Sequence, residues 1–258
     1  MGNEFDFRGA TVLVIAAGGG IGSVVAERFA AAGAHVVAAA RRFDGPLAEV
    51  AARITAAGGV VTPIAMDGTD EASVAAGIAL AATISGRVDA MVNMAGVFRP
   101  PAPIAETPLS DWDQTIAGNL TAAFLCMKHT LAQMIAQGGP GSIVNTASTL
   151  GMDMNRANFG PYVASKAGLQ VLTQTAALEA AQYGIRVNSV SPGVTATSMS
   201  LRPGETDADR LARVKGSIPL SRVADPNEIA NAVLWLSSGQ ASYVTGRDLV
   251  VDGGQVLV

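Results

Sequence analysis

Tyr162 and Lys166, in "YVASK", stand four residues apart in a stretch with helical spacing. Residues at i and i+4 share one face of a helix, so the phenol and the ammonium look the same way. A free tyrosine, with a pKa of about 10, is a poor base at neutral pH, and a nearby ammonium favours its phenolate. Lowering that pKa by about three units takes roughly 4 kcal/mol of differential stabilisation. The pair points to proton transfer at an oxygen. Alone, Y-x-x-x-K is a weak signal, because most such pairs are surface or core residues.

Other residues keep it company. Ser148 ends the apolar run "GSIVNTAS", fourteen residues before Tyr162, and Asn119 lies in "AGNL", in the middle of a long helical pattern. In "VLVIAAGGGIG", Gly18, Gly19, Gly20 and Gly22 stand between a strand-like run and an amphipathic one. Glycines there let the backbone approach a pyrophosphate, and the helix start offers free N–H groups and a favourable dipole. The loop as written matches neither G-x-G-x-x-G nor T-G-x-x-x-G-x-G, so a merely flexible turn is the plain alternative. After the second strand-like run come Ala40, Arg41 and Arg42. An acid at that place would accept the ribose hydroxyls of NAD, whereas a guanidinium pairs with a 2′-phosphate. NADP(H) is therefore expected, with NAD(H) possible. Two solvated surface arginines are the plain alternative.

The elements that must position these groups alternate along the chain. Strand-like runs are read at 11–16, 34–40, 60–66, 88–96, 141–148, 185–193 and 247–254. Helical spacing fills the intervals at 21–33, 46–58, 70–85, 111–137, 161–183 and 226–238, several with a glycine or proline at an end. Pro63 marks the third strand as irregular or at an edge. Repeated strand–helix–strand units predict a single α/β, Rossmann-like, doubly wound parallel sheet with helices on both faces. No linker divides the chain, so residues 1–258 read as one domain. Residues 195–217, with Pro203, Gly204 and several charges, fit the alternation least and are expected to form a substrate lid.

Composition narrows the class. The 258 residues carry a formal net charge of −4, which disfavours nucleic acid as a partner. No apolar run is long enough for a membrane helix. The start "MGNEFDFRGA" has neither a basic n-region nor an apolar h-region, and although Gly2 hints at myristoylation, Asp6 stands where Ser or Thr is wanted. Cytoplasmic localisation is the expectation. Cys126 is the only cysteine, so no intramolecular disulfide forms, and neither His35 nor His129 sits in a ligand cluster, so no metal is expected. A serine hydrolase is the first rival, but no G-x-S-x-G elbow is present. A cofactor-binding regulator without turnover is the second.

Taken together, the motifs from "FRGATVLVIAAGGGIG" to "SYVTGRDLVVDGG" resemble the short-chain dehydrogenase/reductase family in its compact form of about this length. The resemblance implies reversible hydride transfer between nicotinamide and a ketone or secondary alcohol. Tyr162 would be the acid/base, Ser148 would bond the substrate oxygen, Lys166 would hold the nicotinamide ribose, and Asn119 would position a water in a proton relay. Gly18, Gly19, Gly20, Ile21 and Gly22 would line the pyrophosphate. Asp67 and Gly68 would lie at the adenine, and Asn93, Ala95 and Gly96 beside the cofactor ribose. Pro192, Gly193, Thr195 and Thr197 would meet the nicotinamide end. The family also implies a homotetramer. Three departures stand out: Ala16 replaces the first glycine of the family turn, Met94 the second Asn of N-N-A-G, and Gly19 a basic residue common in NADP-preferring members. The turn is expected to accept the Ala16 methyl, with Gly18 and Gly19 taking up the adjustment. "GMDMNRANFGP" and the lid would shape the pocket. Met152, Met154 and Phe159 suggest an apolar wall or core packing. Asn155, Arg156 and Asn158 suggest recognition of oxygen-rich groups or a solvated face.

Overall fold

A computed structural model describes residues 5–258; the first four residues, Gly2 among them, lie outside it. Seven strands run parallel in one sheet of order β3-β2-β1-β4-β5-β6-β7. They are β1 (Thr11–Ile15), β2 (His35–Ala40), β3 (Val60–Ala65), β4 (Ala90–Asn93), β5 (Gly141–Thr146), β6 (Ile185–Pro192) and β7 (Asp248–Val251). Pro63 lies in β3, the edge strand. A residue without an N–H is tolerated there because no further strand needs its donor.

Strand periodicity splits the core in two. Val12 and Val14 of β1 pack towards α1 (Gly20–Ala31), α2 (Pro46–Ala56) and α8 (Pro226–Ser237). Leu13 and Ile15 pack towards α3 (Glu71–Thr83), α5 (Ala122–Gln137) and α6 (Gly160–Ala180). All four are buried, as a central parallel strand covered on both faces requires. Phe29, wholly buried on α1, contributes about 1.5–3 kcal/mol by leaving water.

The strand order turns at β1 and β4. The chain winds outwards to β3 on one side, then crosses back to start β4 on the other. Crossover loops leave that point in opposite directions and open a crevice at the carboxyl ends of the strands.

The helical pattern over 111–137 is not one helix. It resolves into α4 (Leu109–Ile116), a wide π-helical turn (Ala117–Thr121) and α5. The turn inserts an extra residue where Asn119 must point inward, a distortion that often accompanies function. Residues 195–217 also differ from a plain loop. They carry α7 (Asp207–Val214), begun by a Thr206–Asp209 capping box. Arg210 donates to the Thr197 carbonyl at 3.1 Å and to Ser200 Oγ at 2.9 Å, and Arg213 pairs with Glu205.

Candidate active site

The crevice gathers the chemistry-bearing residues from three consecutive units. Ser148 follows β5, and Tyr162 and Lys166 lie one turn apart in α6. The Ser148 hydroxyl stands close enough to the Tyr162 phenol to favour its charged form. Ser148 Oγ also accepts from the Leu150 N–H at 3.1 Å, which fixes its rotamer. Lys166 Nζ lies 5.8 Å from the centre of the Tyr162 ring and donates to the Thr146 carbonyl at 2.7 Å. Asn119 is buried, with Nδ2 donating to the Val97 carbonyl and to Ser165 Oγ, both at 3.0 Å. Its Oδ1 accepts from the Val97 N–H at 2.6 Å. Gly96 lies between them: a Cβ there would sit 3.5 Å from Lys166 Nζ and 3.7 Å from Asn119 Oδ1.

The protonation states depart from the sequence expectation. Burial raises the Tyr162 pKa, and the Ser148 hydroxyl only partly offsets this. Burial also pushes Lys166 down to about 8. Both shifts have one cause, since a dry site penalises whichever form is charged. The ammonium is spent on a carbonyl rather than on the phenol, so in this state the phenol is held protonated. Asn119 has committed both amide hydrogens. Only the second lone pair of Oδ1 and the main chain of the π-turn remain to hold a water.

The glycine turn is shaped for close approach. Ala16 adopts a left-handed φ of 60°, so this residue itself takes up the adjustment expected of Gly18 and Gly19. Gly22 packs against it: a Cβ there would lie 2.3 Å from the Ala16 carbonyl oxygen, a contact no side chain tolerates. Gly20 also has positive φ, at 53°. α1 starts with no side-chain cap and no acid in its first turn, leaving its N–H groups available to an anion. Nothing lies within 4 Å of a Cβ built on Gly19, and Thr197 closes over Gly20, 3.8 Å from a Cβ built there. Open space bounded by N–H groups and a lid residue fits a pyrophosphate. Ile21 is half-buried beside the turn.

The remaining sequence candidates fall around the same crevice. Arg41 and Arg42 are exposed at the end of β2. Arg42 is engaged by Asp44 at 2.9 Å, whereas Arg41 has no ion pair among the described residues. Asp67 follows β3, and its Oδ1 accepts from the Thr69 N–H at 2.9 Å and the Thr69 hydroxyl at 2.7 Å. These bonds lower its pKa, with a smaller contribution from the Arg41 charge nearby. Gly68 backs onto Ala122 of α5. Asn93 Oδ1 caps the Ala95 N–H at 3.0 Å. Met94, in place of the usual Asn, accepts the Thr146 hydroxyl on sulfur at 3.0 Å. Pro192 ends β6, and a Cβ on Gly193 would collide with Asp252 at 2.7 Å. Thr195 is buried, its hydroxyl donating to the Gly193 carbonyl at 3.1 Å.

Sequence reasoning missed two participants. Ser165 accepts from Asn119 and donates to the Tyr162 carbonyl at 2.8 Å, tying the π-turn to α6. It stands inside "YVASK", three residues after the tyrosine and so on the same face, which was the available signal. The Thr146 carbonyl that receives Lys166 carried none, because a backbone acceptor has no residue signature.

Residues 15–255 match the family model described as Enoyl-(Acyl carrier protein) reductase. The short chain dehydrogenase/reductase astE of Aspergillus oryzae is 40% identical, over 100% of this chain and 99% of that protein. The cis-4-hydroxycyclohexanecarboxylate dehydrogenase of Sinomonas cyclohexanicum is also 40% identical, over the whole of both chains. A short-chain type dehydrogenase/reductase from Mycobacterium marinum, 36% identical, superposes with a TM-score of 0.90 over 97% of each chain.

Proposed function

The chain belongs to the short-chain dehydrogenase/reductase family and is an oxidoreductase of alcohols and ketones, and on that premise we propose that it uses NADP(H), with Tyr162 as acid/base. The observation that carries this reading is Ser148 placed beside Tyr162, with Lys166 one turn away. Two neighbouring hydroxyls can each donate one hydrogen to the same carbonyl oxygen. Gly18 to Gly22 and Thr197 would hold the cofactor's pyrophosphate, and Arg41 its 2′-phosphate. When bound, the nicotinamide supplies or accepts the hydride.

Ser148 orients and polarises the substrate carbonyl. Tyr162, kept protonated by burial, is set to donate its proton to that oxygen in the reducing direction. In the oxidising direction the same phenol must first lose its proton, which a bound cationic ring and Lys166 would favour. Replenishment passes through the Asn119 turn. Tyr162→Phe removes the proton and keeps the ring, so turnover is expected to fall by about 10²–10⁴ while cofactor binding persists. Near-normal activity of that variant refutes the mechanism.

NADP(H) rests on Arg41, the exposed guanidinium at the end of β2 that makes no ion pair among the described residues. The ratio of kcat/KM for NADPH over NADH tests it, and a preference for NADH sinks it. Among the described residues no helix is long and apolar enough to cross a membrane. Cytoplasmic localisation is proposed with the absence of a nucleic-acid or membrane partner. A homotetramer is proposed from the exposed apolar side chains of Leu109, Trp112, Phe124, Val171 and Leu178 on α4, α5 and α6. A monomeric mass by light scattering overturns it.

A further inference from the structure

Beside Tyr162 runs a row of rings that the reaction itself does not use. The Phe98 ring meets Tyr162 edge-on at 5.4 Å and lies 5.3 Å from Phe159. The guanidinium of Arg156 sits over Phe159, 5.0 Å from its centre. The two segments that carry the row are pinned together, for Ala102 donates its N–H to the Asn158 carbonyl at 3.0 Å. Asn158 takes a left-handed φ of 71°, a strain that persists where the surroundings hold it. Phe98, Phe159 and Tyr162 also line a crevice of about 20 Å³, room for a water.

Arg156 has no ion pair among the described residues. The nearest acid in sequence, Asp153, accepts instead from Gln170 Nε2 at 3.3 Å. Asp111 lines the crevice. Arg99, on the facing segment, donates to the neutral Gln114. A guanidinium placed by stacking on a ring, rather than by an acid, keeps its N–H edge free for a carboxylate.

We propose that Arg156 is a carboxylate anchor, and that the substrate is a carbocyclic secondary alcohol or ketone bearing a carboxylate remote from the reacting carbon. The reacting oxygen sits at Ser148 and Tyr162, the apolar ring covers Phe98 and Phe159, and the carboxylate reaches Arg156. An open-chain polyol fits poorly, because its hydroxyls would lie unpaired against aromatic faces. The assignment rests on Tyr162 being the reacting group.

The test compares 4-oxocyclohexanecarboxylate with its methyl ester, the same ring without the charge, with NADPH and with NADH. Wild-type protein is expected to prefer the acid by tenfold or more in kcat/KM, mainly through KM. In Arg156→Gln the preference falls below twofold, and Arg156→Lys keeps part of it. Arg222→Gln, at an exposed arginine already paired with Glu228, keeps all of it. Equal handling of acid and ester by wild type, or a preference that survives in Arg156→Gln, overturns the anchor. If neither ketone is turned over, the substrate assignment fails, and turnover of any other ketone keeps the reaction assigned to Tyr162. Calorimetry on the NADP⁺-loaded protein then decides the anchor separately. Cyclohexanecarboxylate binding at least tenfold tighter than cyclohexanecarboxamide, in wild type but not in Arg156→Gln, upholds it, and no difference overturns it.

Discussion

At the amino ends of the strands, Thr11 donates its buried N–H to Asp89 at 2.8 Å and shares its hydroxyl with Ser85 at 2.7 Å. Arg87 pairs with the same Asp89, Gln137 bonds both backbone groups of Val88, and His35 meets Thr62. At the carboxyl ends, Lys166 is buried, Ala16 is left-handed and a helix is broken at Asn119, and among the described residues neither Lys166 nor Arg41 has an ion pair. The roomier groove, about 250 Å³, opens at the amino end beside Thr11, His35 and Ser85. Its polar groups are spent on one another, so space there comes without convergent chemistry. The carboxyl ends carry the site because polar groups there are held in costly states that a ligand can relieve. One end of the sheet spends its polarity on the fold, and the other withholds it.

Lys166→Met breaks this contrast most sharply. Turnover should fall by orders of magnitude, yet the unliganded protein should become more stable at pH 7. The lysine titrates at about 8 when folded against 10.5 as the free side chain, so the buried charge costs up to about 3 kcal/mol, less whatever the Thr146 hydrogen bond returns. The sign follows from proton counts. Between pH 8 and 10.5 the unfolded lysine binds more protons than the folded one, so wild-type stability rises with pH across that window. The advantage of the variant should be complete below pH 8 and gone above about pH 10.5. Urea melts at pH 7 and 10 read it, and a variant destabilised at both refutes it.

Asp89→Ala probes the opposite end. It leaves the Thr11 N–H buried without its acceptor, which costs about 1–3 kcal/mol in denaturant melts. Activity per folded molecule should hold, since Asp89 lies at the amino ends of the strands, opposite the site. A selective loss of kcat would blur the division between the two ends.

Arg41→Ala and Arg42→Ala divide two adjacent cations. Removing Arg41 should raise the KM for NADPH about tenfold, roughly 1.4 kcal/mol, and leave that for NADH nearly unchanged. Removing Arg42, already engaged by Asp44, should shift it less. The reverse order in steady-state kinetics would reassign the 2′-phosphate.

Ala16→Gly is the mildest change. It relieves a left-handed alanine costing about 1–2 kcal/mol and adds about 0.5–1 kcal/mol of glycine chain entropy. A net gain of about 0.5 kcal/mol is expected from thermal melts. A loss of stability would mean that the methyl packs usefully in the turn.

Periodicity and punctuation made the architecture readable. The runs around Val12 and Val92 had to be central strands because they are apolar on both faces, and Pro63 had to sit where a donor is not missed. The helix break at Asn119 was not readable. "AGNL" has good helical spacing, and the π-turn arises only because Asn119 must reach Val97 and Ser165 from two other elements. Tyr162 and Lys166 were visible as a pair four residues apart, Ser148 only through the family motifs that surround it, and Arg41 and Arg42 through their place after β2.

Residue types and spacing thus pointed, by themselves, to the alternating parallel sheet, because periodicity is a property of near neighbours, whereas the glycine turn and the hydroxyl–phenol–ammonium set stood out only through the family resemblance that joined their motifs. Tertiary structure alone decided that Asp44 occupies Arg42 and that Lys166 points at the Thr146 carbonyl. It also decided that burial holds Tyr162 protonated, and that Arg156 stacks on a ring instead of pairing with an acid. Those outcomes depend on desolvation and on partners brought together by folding, and neither is encoded in the identity of a residue or its spacing.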